Sequence, residues 1–320
     1  MKRVVFLLLI LLFSCGQPQK EPRLLADSSG RINAVTIIMP ENDWKGQLGQ
    51  IVRKELEKEY EGLPLMEPQF TLSYMSPKLF NGFAKHSRNI LHFSKDSTAK
   101  MNLYQNQFAK PQVVSQIQGE DSEVQAFMFE ENASLIRRTF VENERKEKRR
   151  RMMKSPAKAT VFMKTFGIKL TYPTAYKTFK TDTKFVWIQK AIPKGHLNLI
   201  AYRVEAPDRN SKGALMTIAI RDSVGKKQIP GRLPNSYMAT EAAYRPYRYK
   251  TNFNQRETYV TKGVWSAAND YMAGPFVHYI IREGENDEWL ALEGFTFAPS
   301  VNKREYMFEL ETIIRSLERK

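Results

Sequence analysis

Three groups of side chains in this sequence have the types and spacing to do chemistry. The first is the stretch from Trp265 to Arg282, with Asp270 and His278 between them, joined by Arg221 and Asp222 from further upstream. An indole can stack on a sugar ring, a carboxylate can accept from hydroxyls, and a carboxylate–histidine pair can move protons once geometry brings the two together. The plainer reading is structural: Asp270 caps a turn, Trp265 packs in a core and His278 is a satisfied strand histidine. Arg221-Asp222, followed by Lys226-Lys227, offers an anion contact or merely an ion pair between neighbours. The second group is basic. Arg145, Lys146, Lys148, Arg149, Arg150 and Arg151 crowd one short run, and between Arg137 and Lys154 nine basic residues face three acidic ones, a local charge of +6. That run fits either an anionic surface or a solvated helix end, where cations are favoured. The third is Cys15, the chain's only cysteine. Tyr244, Tyr247, Tyr249 and Phe253, interleaved with Arg245, Arg248 and Lys250, form a further aromatic–basic surface, read as a packed loop or a glycan or partner contact.

Cys15 is best understood from what precedes it. Met1-Lys2-Arg3 is basic, Val4 to Phe13 is unbroken apolar, and Ser14-Cys15-Gly16 is small. A basic head, a short apolar core and small residues at the end make a secretory signal, too short to span a bilayer. Residues 1–14 are expected to be removed, and residues 15–31 to be a flexible tether rich in Pro, Gly and polar residues. Leu12-Phe13-Ser14-Cys15 resembles a bacterial lipoprotein signal, which implies acylation of the Cys15 thiol (palmitate), a new N-terminus there, and a lipid-anchored place in the cell envelope, at the outer membrane. The expected partners are the membrane through that lipid, and an envelope protein, a glycan or anionic headgroups. Losing Lys2 and Arg3 lowers the formal charge from +16 to +14, but an exported protein meets little nucleic acid, so none is expected as a partner.

The enzyme signatures with mechanical meaning are absent: no G-x-S-x-G elbow, no P-loop, no H-E-x-x-H, no S-x-x-K with its partners. His86, His92, His196 and His278 lack metal-ligand spacing, so no metal and no cofactor are expected. The leading expectation is a non-enzymatic binding or assembly module. The alternative is an envelope hydrolase using Asp270 and His278, which requires both to converge with Arg282 on one cleft.

The elements that must position these residues fall into two halves. Residues 32–154 read as an α/β unit: strands over Ile32–Met39, Phe70–Met75, Asn89–Phe93 and Gln112–Ile117, a helix after Pro40 capped by Asn42 or Asp43, and a long helix over Glu120–Met153. Val124, Phe127, Met128, Leu135, Ile136 and Phe140 supply its apolar stripe, and Ser155-Pro156 ends it. Residues 155–320 read as an α+β sandwich, a mainly antiparallel twisted sheet between helices. Its strands are Gly167–Tyr172, Lys184–Lys190, Leu197–Glu205, Arg256–Trp265, Pro275–Arg282 and Glu288–Ala298. Ala214–Val224 reads as a helix, and Asn302–Glu305 as the capping box of a closing helix with Met307, Leu310, Ile313, Ile314 and Leu317 on its buried face. The order of these elements loosely resembles the PsbP- and Mog1-type sandwich, an analogy of topology that carries no function.

The second half also holds uncommon short motifs: Arg221-Asp222-Ser223, Ile229-Pro230-Gly231, Ser236-Tyr237-Met238-Ala239-Thr240-Glu241, Gly263-Val264-Trp265 and Asp270-Tyr271-Met272-Ala273-Gly274-Pro275-Phe276. Together they resemble an uncharacterised family of Bacteroidota lipoproteins, a domain of unknown function. The resemblance implies an envelope lipoprotein and no particular activity.

Overall fold

The computed structural model describes residues 24–158, 160–204, 213–284 and 288–319. The signal segment and Cys15 lie outside the described residues. Two sheets organise the chain, and the fold class is α+β, as the sequence pattern implies.

The first sheet has five strands. β1 (Ala34–Ile38), β2 (Thr71–Met75), β3 (Asn89–Lys95), β4 (Lys100–Gln105) and β5 (Val113–Gly119) lie in the order β2-β1-β3-β5-β4. All its pairings are parallel except β4 on β5. Two helices cover one face: α1 (Gln47–Leu56) and α2 (Ser122–Met152). Leu48, Val52 and Leu56 recur at helical spacing and pack with Phe129, Ala133, Ile136 and Phe140 of α2 over Ile37, Leu91 and Ile117. A short helix over Glu41–Lys45 precedes α1, and Pro40 stands at its N-cap with no side-chain cap, so neither Asn42 nor Asp43 plays the expected part. The stripe of α2 also differs from the expected one. Phe129 and Ala133 are buried while Phe127 and Leu135 are exposed, because the core lies one position around the helix. Asp121 caps α2 by accepting from the amides of Glu123 and Val124.

The second sheet has eight strands, all antiparallel. β6 (Lys177–Thr181), β7 (Phe185–Ile192), β8 (Gly195–Val204), β9 (Tyr237–Thr240), β10 (Tyr247–Phe253), β11 (Arg256–Ala268), β12 (Ala273–Glu283) and β13 (Glu288–Phe297) run in the order β9-β11-β12-β13-β8-β7-β6, with β10 also pairing on β11. From Tyr247 to Phe253 the aromatic–basic stretch, read as a packed loop or a glycan or partner contact, is the strand β10, joined to β11 by a turn in which Asn254 and Gln255 both take positive φ. α3 (Thr160–Phe166) and the closing helix α5 (Arg304–Ile314) cover one face, burying Met307, Leu310, Ile313 and Ile314 against Val277, Tyr279, Ile281 and Leu292. α4 (Gly213–Gln228) lies on the other face, above Phe276, Ile280 and Phe295. The middle strands are therefore covered on both sides, and β12 is buried almost throughout.

Polar contacts, not apolar ones alone, bind the halves to each other. The expected capping box of α5 is not formed. Instead the Glu67 carboxylate reaches across and accepts from the Lys303 and Arg304 amides at 2.6 and 3.0 Å, placing negative charge at the helix N-terminus. Glu311, buried on α5, accepts from the hydroxyls of Tyr279 at 2.7 Å and Tyr60 at 3.4 Å. Lys262 and Arg145 face it at 3.4 and 3.6 Å. Residues 26–31, read as the end of the tether, are docked: Ala26–Asp27 pairs with Ala109–Lys110, and Arg88 donates to the Gly30 and Arg31 carbonyls.

Candidate functional site

The outer face of the second sheet, under α4 and the segment that follows it, collects most of the side chains singled out above. Arg221 descends from α4 and is 1% exposed. Its guanidinium lies 3.8 Å over the Phe276 ring and donates twice to one oxygen of Glu293, at 2.9 and 3.1 Å. It also reaches the Thr240 hydroxyl at 3.0 Å and the Asp222 carboxylate at 3.3 Å. Asp222 in turn accepts from the Thr240 amide and hydroxyl. Burial pushes the Glu293 carboxyl up, and Arg221 opposes that rise. Arg221-Asp222 is thus an internal strut holding α4 to β9 and β13, not an exposed anion contact.

His278 points to the same face two residues along β12. It is buried, and its Nε2 lies 2.9 Å from the Tyr202 hydroxyl, with the two rings stacked. Burial, helped by Arg221, pulls its imidazole down to about 3. Asp270 lies elsewhere, in the turn before β12. It pairs with Arg232 through side chain and backbone, and the Arg232 hydrogen bond, helped by two backbone amides, holds its carboxyl at about 2. Among the described residues the two share no partner. Arg282, which pairs with Glu257, stands eight positions along β12 from Gly274, roughly 26 Å at about 3.3 Å per residue. Asp270, His278 and Arg282 therefore do not converge, and the acid–base arrangement that the hydrolase alternative requires is not formed. A carboxylate near 2 and a histidine near 3 are both poorly matched to proton transfer at neutral pH.

Trp265 has a different surrounding. It is buried, its indole nitrogen donates to the Thr296 carbonyl at 3.2 Å, and it forms one wall of a cavity of about 130 Å³. Trp187, Phe295, Phe297, Met238 and Met272 supply most of the remaining wall, with Ile229, Pro230 and Gly231 across the top. The uncommon motifs meet here. Gly231 is needed because a Cβ would fall 2.3 Å from the Ser236 hydroxyl, and Gly274 because a Cβ would fall 2.0 Å from the Thr296 carbonyl. At the floor, Asn198 is 3% exposed. Its side-chain oxygen accepts from the Trp187 indole at 3.0 Å and the Gln189 amide at 2.9 Å. An indole N–H can only donate, so this contact fixes which way the Asn198 amide faces. Its Nδ2 then donates to no described residue. Sequence reasoning found Trp265 but not Trp187 or Asn198, which sit in a strand pattern no different from ordinary core.

The second half of the chain, residues 155–316, matches the family model described as domain of unknown function (DUF4837). The chain belongs to that family. Residues 28–153 match a second model, likewise a domain of unknown function (DUF8532). The cavity and the Arg221 strut both lie in the DUF4837 portion. No curated protein matches the chain. Solved structures similar to it include a Pseudomonas aeruginosa protein of unknown function, PA94, at 12% identity over 47% of this chain and 90% of that one, with a TM-score of 0.28. The Ran-binding protein Mog1p of Saccharomyces cerevisiae is 7% identical over 48% of this chain and 90% of that one, with a TM-score of 0.33. The human StarD13 lipid transfer domain is 12% identical over 44% and 88%, with a TM-score of 0.24. Scores this low carry no argument about function.

The basic end of α2 carries six cations. Among them, Lys146, Arg149 and Arg151 are exposed. Arg145 pairs with Glu142 and Glu311, Lys148 with Glu309, and Arg150 and Arg151 with the buried Glu147. Arg150 also holds Asp27, and Arg149 donates to the Arg315 carbonyl. The charge that looked like a binding surface is in large part clasping α5 and the docked N-terminal segment. Among the described residues no group of three or more His, Cys, Asp or Glu is placed to hold a metal, and no helix is long and apolar enough to cross a membrane.

Proposed function

We propose that the protein is a lipid-anchored binding module of the cell envelope, held by an acylated Cys15 and presenting the cavity between Trp187 and Trp265 to a ligand. The cavity is the observation that carries the binding part of this reading. It is concave, mostly apolar, and has one oriented polar group on its floor, the usual make-up of a small-molecule site. The separation of Asp270, His278 and Arg282 favours holding a ligand over transforming one. The signal-like N-terminus supports the anchoring part, with Cys15 eleven residues before the docked segment that begins at Ala26.

Two experiments test it. Metabolic labelling with an alkyne palmitate should mark the protein, and Cys15→Ser should lose the label and release the protein from the membrane fraction. Label retained by Cys15→Ser would contradict the anchor. For the cavity, xenon should bind saturably by 129Xe NMR, as it does in apolar cavities of about 150 Å³. Ala267→Leu, which fills the cavity wall, should abolish it. Equal xenon binding by both proteins would place the void elsewhere.

A further inference from the structure

The lining of the cavity decides what chemistry it takes, given the reading above that it is a binding site. Its walls are mostly aromatic, thioether and aliphatic side chains, and among the described residues no lysine, arginine, aspartate or glutamate lines it. A charged ligand would leave water without a counter-charge, at high free-energy cost. A volume of about 130 Å³ is close to that of an apolar cavity known to take benzene, so the bound group is about one six-membered ring.

A sugar ring has the right size but the wrong polarity. Each buried hydroxyl without a partner carries the full penalty of its lost hydration, and a sugar brings several. Against these the cavity offers the Asn198 amide on its floor, with Gln189 and the exposed His196 at the rim. Of these three Asn198 is the buried one, and its Nδ2 is locked in orientation by the Trp187 indole. It calls for one acceptor. We infer that the cavity binds a neutral ring-sized carbonyl group, an aryl or alicyclic ketone, ester or amide, with the ring between Trp187 and Trp265 and the carbonyl oxygen on Asn198 Nδ2. Entry is past Met272, Phe297 and His196, which are partly or fully exposed.

The test compares three probes on the purified full-length chain by isothermal titration: acetophenone, ethylbenzene and methyl β-D-glucopyranoside. Acetophenone should bind, and ethylbenzene, its near-isostere without the carbonyl, should bind roughly fivefold more weakly, the range expected of one net hydrogen bond. The glucoside should give no saturable heat. Asn198→Leu should bring the ratio of the two aromatic probes close to one. Because that change also strips the Trp187 indole of its acceptor and can unfold the chain, the wild-type ratio decides by itself. Ethylbenzene binding as tightly as acetophenone, or the glucoside binding more tightly than either, overturns the carbonyl assignment while leaving the cavity as a site. Loss of xenon binding together with all three probes removes the site itself.

Discussion

Arg221 and Glu293 face each other inside a hydrophobic face with both side chains almost wholly buried. Such a pair is worth little relative to apolar residues, but breaking it strands a charge. Arg221→Leu should therefore destabilise by about 3–5 kcal/mol in urea unfolding. Arg221→Leu with Glu293→Leu should recover a good part of that loss, and equal losses for the single and double variants would rule out the strut. His278 gives a second prediction. Its folded-state value is near 3, well below the ordinary 6.5, so the folded protein refuses a proton that the unfolded chain accepts. Its contribution is neutral above pH 6.5, and stability falls as pH drops from 6.5 towards 3, by up to about 1.4 kcal/mol per pH unit for one proton. His278→Gln should flatten that decline, and the His278 ring should show no NMR titration between pH 8 and 4.

Glu311 titrates lower. Burial pushes its carboxyl up, but Lys262, Arg145 and the Tyr279 hydroxyl outweigh it and hold it at about 2. Its stabilising contribution is present above the ordinary carboxylate range and is lost as pH falls from about 4.5 towards 2, a window that starts lower than that of His278 and overlaps its acid end.

At the scale of elements, α5 depends on a cap from the other half of the chain. Glu67→Ala should cost about 1 kcal/mol, by analogy with the loss of an N-cap acceptor, read as a fall in thermal midpoint. No change would mean the two α5 amides find water as readily as Glu67. This cap was illegible in the sequence, because Asn302–Glu305 has the spacing of a local box while the real acceptor lies 236 residues away. What the sequence made legible follows from periodicity. The β7–β8 and β12–β13 pairs and the buried stripe of α5 stand where apolar spacing placed them, whereas α4 was read from the Gly225 and Pro230-Gly231 that follow it. The edge strands β4, β6 and β10 were not read as strands because they are largely exposed; Met101 and Leu103 of β4 and Tyr247, Tyr249 and Phe253 of β10 do alternate with polar residues, but the β10 alternation was read as a packed loop. The contacts of the basic end of α2 were illegible for another reason, and the run read as either an anionic-surface contact or a solvated end. Its acidic partners Glu309 and Glu311 lie on α5, far off in sequence.

For the whole molecule, α2 is the shared wall. Its apolar part packs on the first sheet, and its charged end reaches Glu309 and Glu311 on α5 of the second half. Lys148→Glu should set like charges together at Glu309 and lower the thermal midpoint, whereas Lys146→Glu, on the exposed side, should leave it nearly unchanged. Equal effects would mean the helix end is solvated after all. The candidate site, by contrast, was only partly legible as a whole. The motifs named its rim, but the floor comes from strands that topology alone brings beneath them.

The most direct test of that site uses the chain's four indoles, Trp44, Trp187, Trp265 and Trp289, as reporters. Titrating acetophenone into the 15N-labelled protein should move the indole N–H signals of Trp187 and Trp265 together and saturably, with those of Trp44 and Trp289 unmoved. Saturable movement at Trp44 or Trp289 alone, or no movement at any of the four, would contradict the account.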